Sequence, residues 1–262
     1  MSTLTDSLYR LEDGRVIPTE NVAGPWDPGL QHGGGPAALV AWTAESIPTA
    51  VPMRTTRITI DLLRPVPISP LEIQSNVIRE GKKIQLCEVR LRTNGVDVVR
   101  ASVLKVRSRQ LALPNIEMEE PLDLPLPEAG EEPSWTSNTR RGFISGVSLR
   151  EVKGGFRKPG PAAIWYRINW PVIDGQPPSP LMRAAITADF GNGTSSALDF
   201  AKWTFINGDL TISLSRLPVG DWILQDSRTS LSHSGVAIAR GRLADRQGYF
   251  GVAVQSVIVE PR

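Results

Sequence analysis

The sequence predicts an α+β fold laid out twice, as two antiparallel sheets that each wrap around a central helix. Three observations carry that expectation. Runs such as "RITIDLL" and "DLTISL" alternate, so that Ile58, Ile60 and Leu62, then Leu210, Ile212 and Leu214, fall on one face. One stretch, 36–47, is apolar all round: Ala37, Ala38, Leu39, Val40, Ala41 and Trp42 leave no polar stripe, so the helix has to be enclosed by its sheet. Arg64-Pro65 and Arg216-Leu217-Pro218 punctuate the same place at an offset of 152 residues, from 64 to 216, which marks an internal duplication.

From the amino terminus, "MSTLTDSLYRLEDG" lacks the basic-then-apolar pattern of a secretory leader. The glycine run in "QHGGGPAALVAWTAE" opens the first helix, and Pro36 suits its first turn, where a missing N–H costs nothing. Four strand-like runs follow up to "VLKVR", with Asn94-Gly95 as a hairpin turn. Residues 109–138 are rich in Pro, Glu and Asp and show no periodicity. They read as a surface linker or, equally, as an extended strap along one edge. The division is therefore 1–108, linker 109–138, and 139–262. In the second unit "DFGNG" is expected to lead into a helix, "TSSALDFAKW", and four more runs follow, with Asp245 to Gly248 at a turn.

Composition narrows the function. Of 262 residues, 40% are hydrophobic and 21% charged, as in an ordinary globular protein. The 29 Lys and Arg against 27 Asp and Glu leave a net charge of +2 without a basic run, so no nucleic-acid partner is expected. No apolar run approaches the roughly 20 residues of a membrane helix. Cys87 is the only cysteine, and His32 and His233 are the only histidines. No disulfide, metal or other cofactor is expected, and the chain reads as cytoplasmic.

"QHGGG" has three readings: an oxyanion loop of a serine esterase, a phosphate cradle, or a glycine-rich entry into a buried helix. The esterase needs a G-x-S-x-G elbow, which is absent, and parallel strands separated by helices, whereas these strands follow one another through short turns. A P-loop needs a closing Gly-Lys-Ser/Thr, also absent. What remains is a tight turn that lets a substrate approach the amides at a helix start, or glycines needed only for close packing.

With "HGG" running into an apolar helix, the chain resembles the hot-dog fold in its duplicated form, the acyl-CoA thioesterase II family. The second half carries the closer likeness: Asp189 in "TADFGNG", Asn207 in "FINGDLTISLSR" and Gln255 in "VAVQSVIV". The resemblance implies hydrolysis of acyl-CoA thioesters by a water that Asp189 activates, with Asn207 and Gln255 holding that water. Asn207 stands where the family more often has Thr or Ser. "AALVAW" carries no acid where single-domain relatives often have one, so one competent site and one degenerate site are expected. Asp189, placed just before a helix, would stay ionised beside unsatisfied amides. A Gln between apolar residues needs a partner if it is buried. Plainer roles stand beside these: a helix cap for Asp189, an edge position for Gln255 and a turn residue for Asn207.

Gly191 and Gly193 are candidate oxyanion residues beside Asp189, and Gly33 and Gly34, with His32, are candidate substrate contacts. Asp199 is a rival base. Arg79, Lys82 and Lys83 could meet coenzyme A phosphates or simply be solvated. His233, in "LSHSG", reads as surface. The partner expected is acyl-CoA, in lipid metabolism, and the resemblance adds a homo-oligomer. Two alternatives remain. One is a non-catalytic acyl-CoA or acyl-carrier binding protein. The other is an enoyl-CoA hydratase or dehydratase, which needs a His working with an acid; His32 sits in the half without one.

Overall fold

The computed structural model describes residues 6–114, 121–136 and 141–262. A short hairpin comes first, β1 (Tyr9–Glu12) and β2 (Arg15–Pro18), turning through Asp13 and Gly14 at φ 48° and 76°. Helix α1 (Gly34–Ser46) follows, then β3 (Met53–Leu62), β4 (Glu72–Glu80), β5 (Ile84–Thr93) and β6 (Val96–Arg107). The second half contains β7 (Val147–Gly155), β8 (Lys158–Ile168), α2 (Pro180–Asp189), the single turn α3 (Gly191–Thr194), β9 (Trp203–Asn207), β10 (Asp209–Leu214), β11 (Trp222–Leu231), β12 (Val236–Asp245) and β13 (Gly248–Pro261).

Apart from the β1–β2 ribbon, the strands form one sheet in the order β4-β5-β6-β3-β10-β13-β12-β11-β8-β7, with β9 also paired to β13. The expectation of two sheets is corrected here: β3 and β10 pair antiparallel and fuse the halves. Thr59 faces Thr211 in that pairing, their hydroxyls 3.3 Å apart, and these are the residues the 152-residue offset relates. A local twofold axis therefore passes through the join. Pairing there satisfies two edges that separate sheets would leave open.

The alternation in β3 and β10 is as expected, with Ile58, Ile60, Leu210 and Ile212 all buried, each worth about 1.5–3 kcal/mol. Asn94-Gly95 makes the β5–β6 turn at φ 50° and 76°, both left-handed, as a two-residue hairpin requires. Helix α1 is buried from Gly34 through Ala41. It packs on its own strands on one side and on α2 on the other. The helices run antiparallel: the N-cap of α2, Ser179, donates its hydroxyl to Glu45 Oε2 at the end of α1 (2.7 Å).

The second helix is not where the sequence suggested. Residues 195–202 form a loop, and α2 ends at Asp189 instead of starting after it. Its start carries the usual signals, a Ser N-cap and Pro180 in the first turn. Of the 109–138 segment, the described part from 121 packs as a strap: Pro125 O accepts from Trp165 Nε1 (2.9 Å), and Glu131 pairs with Glu151.

Candidate active site

Asp189, Asn207 and Gln255 come together, and His32 joins them from the other half. Asp189, with a side chain 5% exposed, lies against the start of α1. Its Oδ1 accepts from Asn207 Nδ2 (3.1 Å) and its Oδ2 is 3.1 Å from His32 Nδ1. A Cβ at Gly33 would sit 2.7 and 2.8 Å from the two carboxylate oxygens, so the glycine makes room for the acid. The dipole argument holds for a different helix than expected. At the end of α2 the carbonyls disfavour a negative charge, while the amino-terminal end of α1 favours it.

Asn207 reaches the site because of a bulge. β9 pairs Asn207 with Val257, whereas β10 pairs Thr211 with Val254, so one extra residue is absorbed around Gly208. Phe205 and Asn207 therefore face inward, and the phase resets so that Leu210 does too. Bulges commonly re-aim side chains in this way.

Gln255, on β13, is 1% exposed and bridges the break between α2 and α3. Its Oε1 accepts from Asn192 N–H (2.8 Å) and its Nε2 donates to Asp189 O (3.1 Å). The burial is thus compensated, and the amide positions Asp189 through its backbone. Gly191 allows this approach, since a Cβ there would lie 2.9 Å from Gln255 Oε1 and 3.0 Å from Gln225 Nε2. Gly193 faces Phe156, and its N–H donates to Asn192 Oδ1 (2.7 Å). Gln225 is fully buried and donates to Ser227 Oγ (2.9 Å), while its Oε1 has no hydrogen-bond partner among the described residues.

His32 is held tightly. Its ring stacks on Phe143 at 4.4 Å and 7° and meets Phe190 at 4.8 Å. Gly34 N–H lies 3.0 Å from His32 Nδ1, and a Cβ at Gly34 would press on Phe143 at 2.9 Å. Gly35 leaves room for the Tyr9 hydroxyl. The three glycines are thus all close-approach positions. The Gly33 N–H has no hydrogen-bond partner among the described residues.

Other candidates lie apart. Asp199 is exposed and accepts from Ala201 N–H (2.9 Å) in the loop after α3. Arg79, Lys82, Lys83 and His233 are exposed at hairpin ends. At the other end of the helix pair, burial raises Glu45, with the Ser179 hydrogen bond and Lys105 opposing. Lys105 is lowered by its own burial and donates to Ile47 O (2.6 Å). In the strands, the 152-residue offset puts Thr55 and Val103 where the second half has Asn207 and Gln255, so the polar set is not repeated. Phe143, Phe190 and Asn192 were not singled out from the sequence, although "DFGNG" contains two of them. Among the described residues no three His, Cys, Asp or Glu side chains gather to hold a metal.

Comparison with known proteins agrees with this architecture. Residues 119–259 match the family model for the acyl-CoA thioesterase C-terminal domain, and residues 22–106 match that for the N-terminal domain. The chain is similar to a hot-dog-fold protein from Alicyclobacillus acidocaldarius at 15% identity and TM-score 0.74, covering 96% of this chain and 95% of that one. It is also similar to an acyl-CoA thioesterase II from Mycobacterium marinum, at 14% identity and TM-score 0.68 over 96% and 95% of the two chains. No curated protein matches.

Proposed function

The chain belongs to the acyl-CoA thioesterase family and is a thioester hydrolase, and from that premise we propose that it cleaves acyl-CoA to free acid and coenzyme A with a water activated by Asp189. The observation that carries this is the convergence on one buried carboxylate of Asn207, His32 and the start of α1. Asp189 supplies the negative charge that makes the water nucleophilic. Asn207 fixes one carboxylate oxygen, and Gln255 fixes the backbone that bears it. The unpartnered Gly33 amide is the donor for the oxyanion. His32, Gly34, Gly191 and Gly193 shape the walls against which the thioester lies. In this reading 1–108 and 139–262 are two hot-dog units joined by 109–138, and the first unit keeps no acid site of its own.

The proposed acyl-CoA substrate supports a role in lipid metabolism, in the cytoplasm. Val236, Ile238, Val252, Val254 and Ile258, exposed on β12 and β13, support self-association into a homo-oligomer. Acyl-CoA panel assays of thiol release, with Asp189→Ala alongside, test the activity. A binding protein would retain acyl-CoA affinity and show no turnover.

A hydratase reading has one observation in its favour. The acid absent from the half of His32 is supplied by the other half, at 3.1 Å. Loss of enoyl absorbance from a 2-enoyl-CoA without thiol release would select that reading.

A further inference from the structure

We propose that Arg64 holds a phosphate of the coenzyme A nucleotide, in an open groove beside the candidate active site. This rests on the hydrolase reading above and names where the charged end of the substrate lies. The groove is lined by Leu63, Arg64, Arg92, Gly95, Val96 and Asp97 and holds ≈ 850 Å³ of space open to solvent. Such a groove suits a charged, hydrated group, whereas an acyl chain needs enclosure. The segment that carries Arg64 is tied to the site at both ends. Leu62 N–H donates to Gly208 O (2.9 Å), next to Asn207. Gln31, next to His32, donates its N–H to Val66 O (2.8 Å) and its Nε2 to Pro67 O (2.7 Å). Residues 62–67 therefore form a rim between two of the groups that surround Asp189, and a substrate with its thioester at Asp189 extends across it.

The fold itself makes no use of the Arg64 charge. The guanidinium is exposed and has no partner among the described residues. The local twofold shows what a structural arginine would do there, because the 152-residue offset relates Arg64 to Arg216 and Thr93 to Asp245. Arg216 is bound to Asp245, donating to its Oδ1 (2.8 Å). Thr93 instead shares a hydrogen bond with Ser69 (2.8 Å) and offers Arg64 no charge. Asp97, the one acid lining the groove, faces Arg90 Nη1 (2.9 Å) and Arg92 Nε (2.7 Å), so it does not cancel Arg64. What remains is a free planar fork of donors, the geometry that matches phosphate oxygens. Leu63 and Val96, 49% and 42% exposed, add apolar surface beside it of the kind that marks a ligand groove. Lys82 and Lys83 do not share this role, since Lys83 and Arg92 sit at opposite ends of β5, roughly 30 Å apart at the rise of a strand.

The test compares wild type, Arg64→Ala, Arg64→Glu and Arg64→Lys on two thioesters of the same acid: acyl-CoA, and acyl-N-acetylcysteamine, which lacks the nucleotide and its phosphates. Kinetics give kcat and KM, calorimetry gives the Kd of free coenzyme A, and thermal unfolding confirms that each variant folds. Arg64→Ala should raise KM for acyl-CoA and Kd for coenzyme A about five- to thirtyfold, with kcat little changed. Arg64→Glu should lose more and Arg64→Lys less. The truncated thioester should show no change, and added salt should shrink the gap between wild type and Arg64→Ala. An Arg64→Glu variant within about twofold of wild type in both KM and Kd overturns the proposal and leaves the hydrolase reading intact. An equal loss with both thioesters does the same, because it places the effect away from the nucleotide. A wild type that binds coenzyme A, loses that binding in Arg64→Glu and releases no thiol upholds the phosphate contact and overturns the hydrolase reading. A wild type that neither binds coenzyme A nor releases thiol overturns both.

Discussion

Gly33→Ala isolates the geometry of the site from the stability of the fold. The added Cβ would arrive 2.7 Å from Asp189 Oδ1 and 2.8 Å from Oδ2, where ordinary contact begins at 3.4 Å. Something must move by about 0.7 Å, and Asp189 is the neighbour in the way. Backbone strain does not enter, because Gly33 sits at φ −58° and ψ −25°, where alanine is at ease. Removing glycine's unfolded-state freedom even returns about 0.4–1 kcal/mol, offsetting part of the crowding. A displacement approaching 1 Å at reacting groups costs about 10²-fold in rate. The expected variant melts within a few degrees of wild type and loses about 10²-fold in kcat/KM for acyl-CoA. Wild-type kcat/KM in Gly33→Ala would refute the placement of the carboxylate at the start of α1.

Three further outcomes follow from the same structure. Gly191→Ala pushes on Gln255 Oε1 from 2.9 Å, and should destabilise by about 1–3 kcal/mol in denaturant titration and lower kcat as the α2–α3 break shifts. Gln255→Leu strands the Asn192 N–H and the Asp189 C=O, at about 1–3 kcal/mol per group; a neutral effect on unfolding would show that water replaces the amide. Asp245 is fully buried. Burial pushes its carboxyl up, but Arg216 and the N–H groups of Val219 and Gln247 outweigh that and hold it below the usual value. Its stabilisation is therefore present above the unfolded-state value and is lost as pH falls through the folded one. Asp245→Asn should cost about 3 kcal/mol near neutral pH and flatten the acid limb of Tm against pH.

The residues differ in how openly the sequence announces them. Helix α1 is legible because an all-apolar stretch has no surface solution, and β3 and β10 because their period is two. Asp189, Asn207 and Gln255 stand out only through resemblance, since no local pattern separates a candidate base from a helix cap. The second helix is hard to place because "DFGNG" looks like "HGGG". Both are glycine runs, but one ends a helix and the other begins one. Ser179-Pro180 carried the true start signal. β7 and β8 were missed, as Pro159 and Pro161 in β8 argue locally against a strand. The His32–Asp189 contact joins opposite halves of the chain, and the fused sheet depends on pairing across the local twofold. Such long-range facts leave no periodicity to read.

Thiol release from short, medium, long and aromatic acyl-CoAs by the wild type and Asp189→Ala, with binding of the same ligands, tests the central claim most directly. The account predicts turnover by the wild type, its collapse in the variant, and acyl-CoA affinity largely kept. Turnover that survives in Asp189→Ala would contradict it.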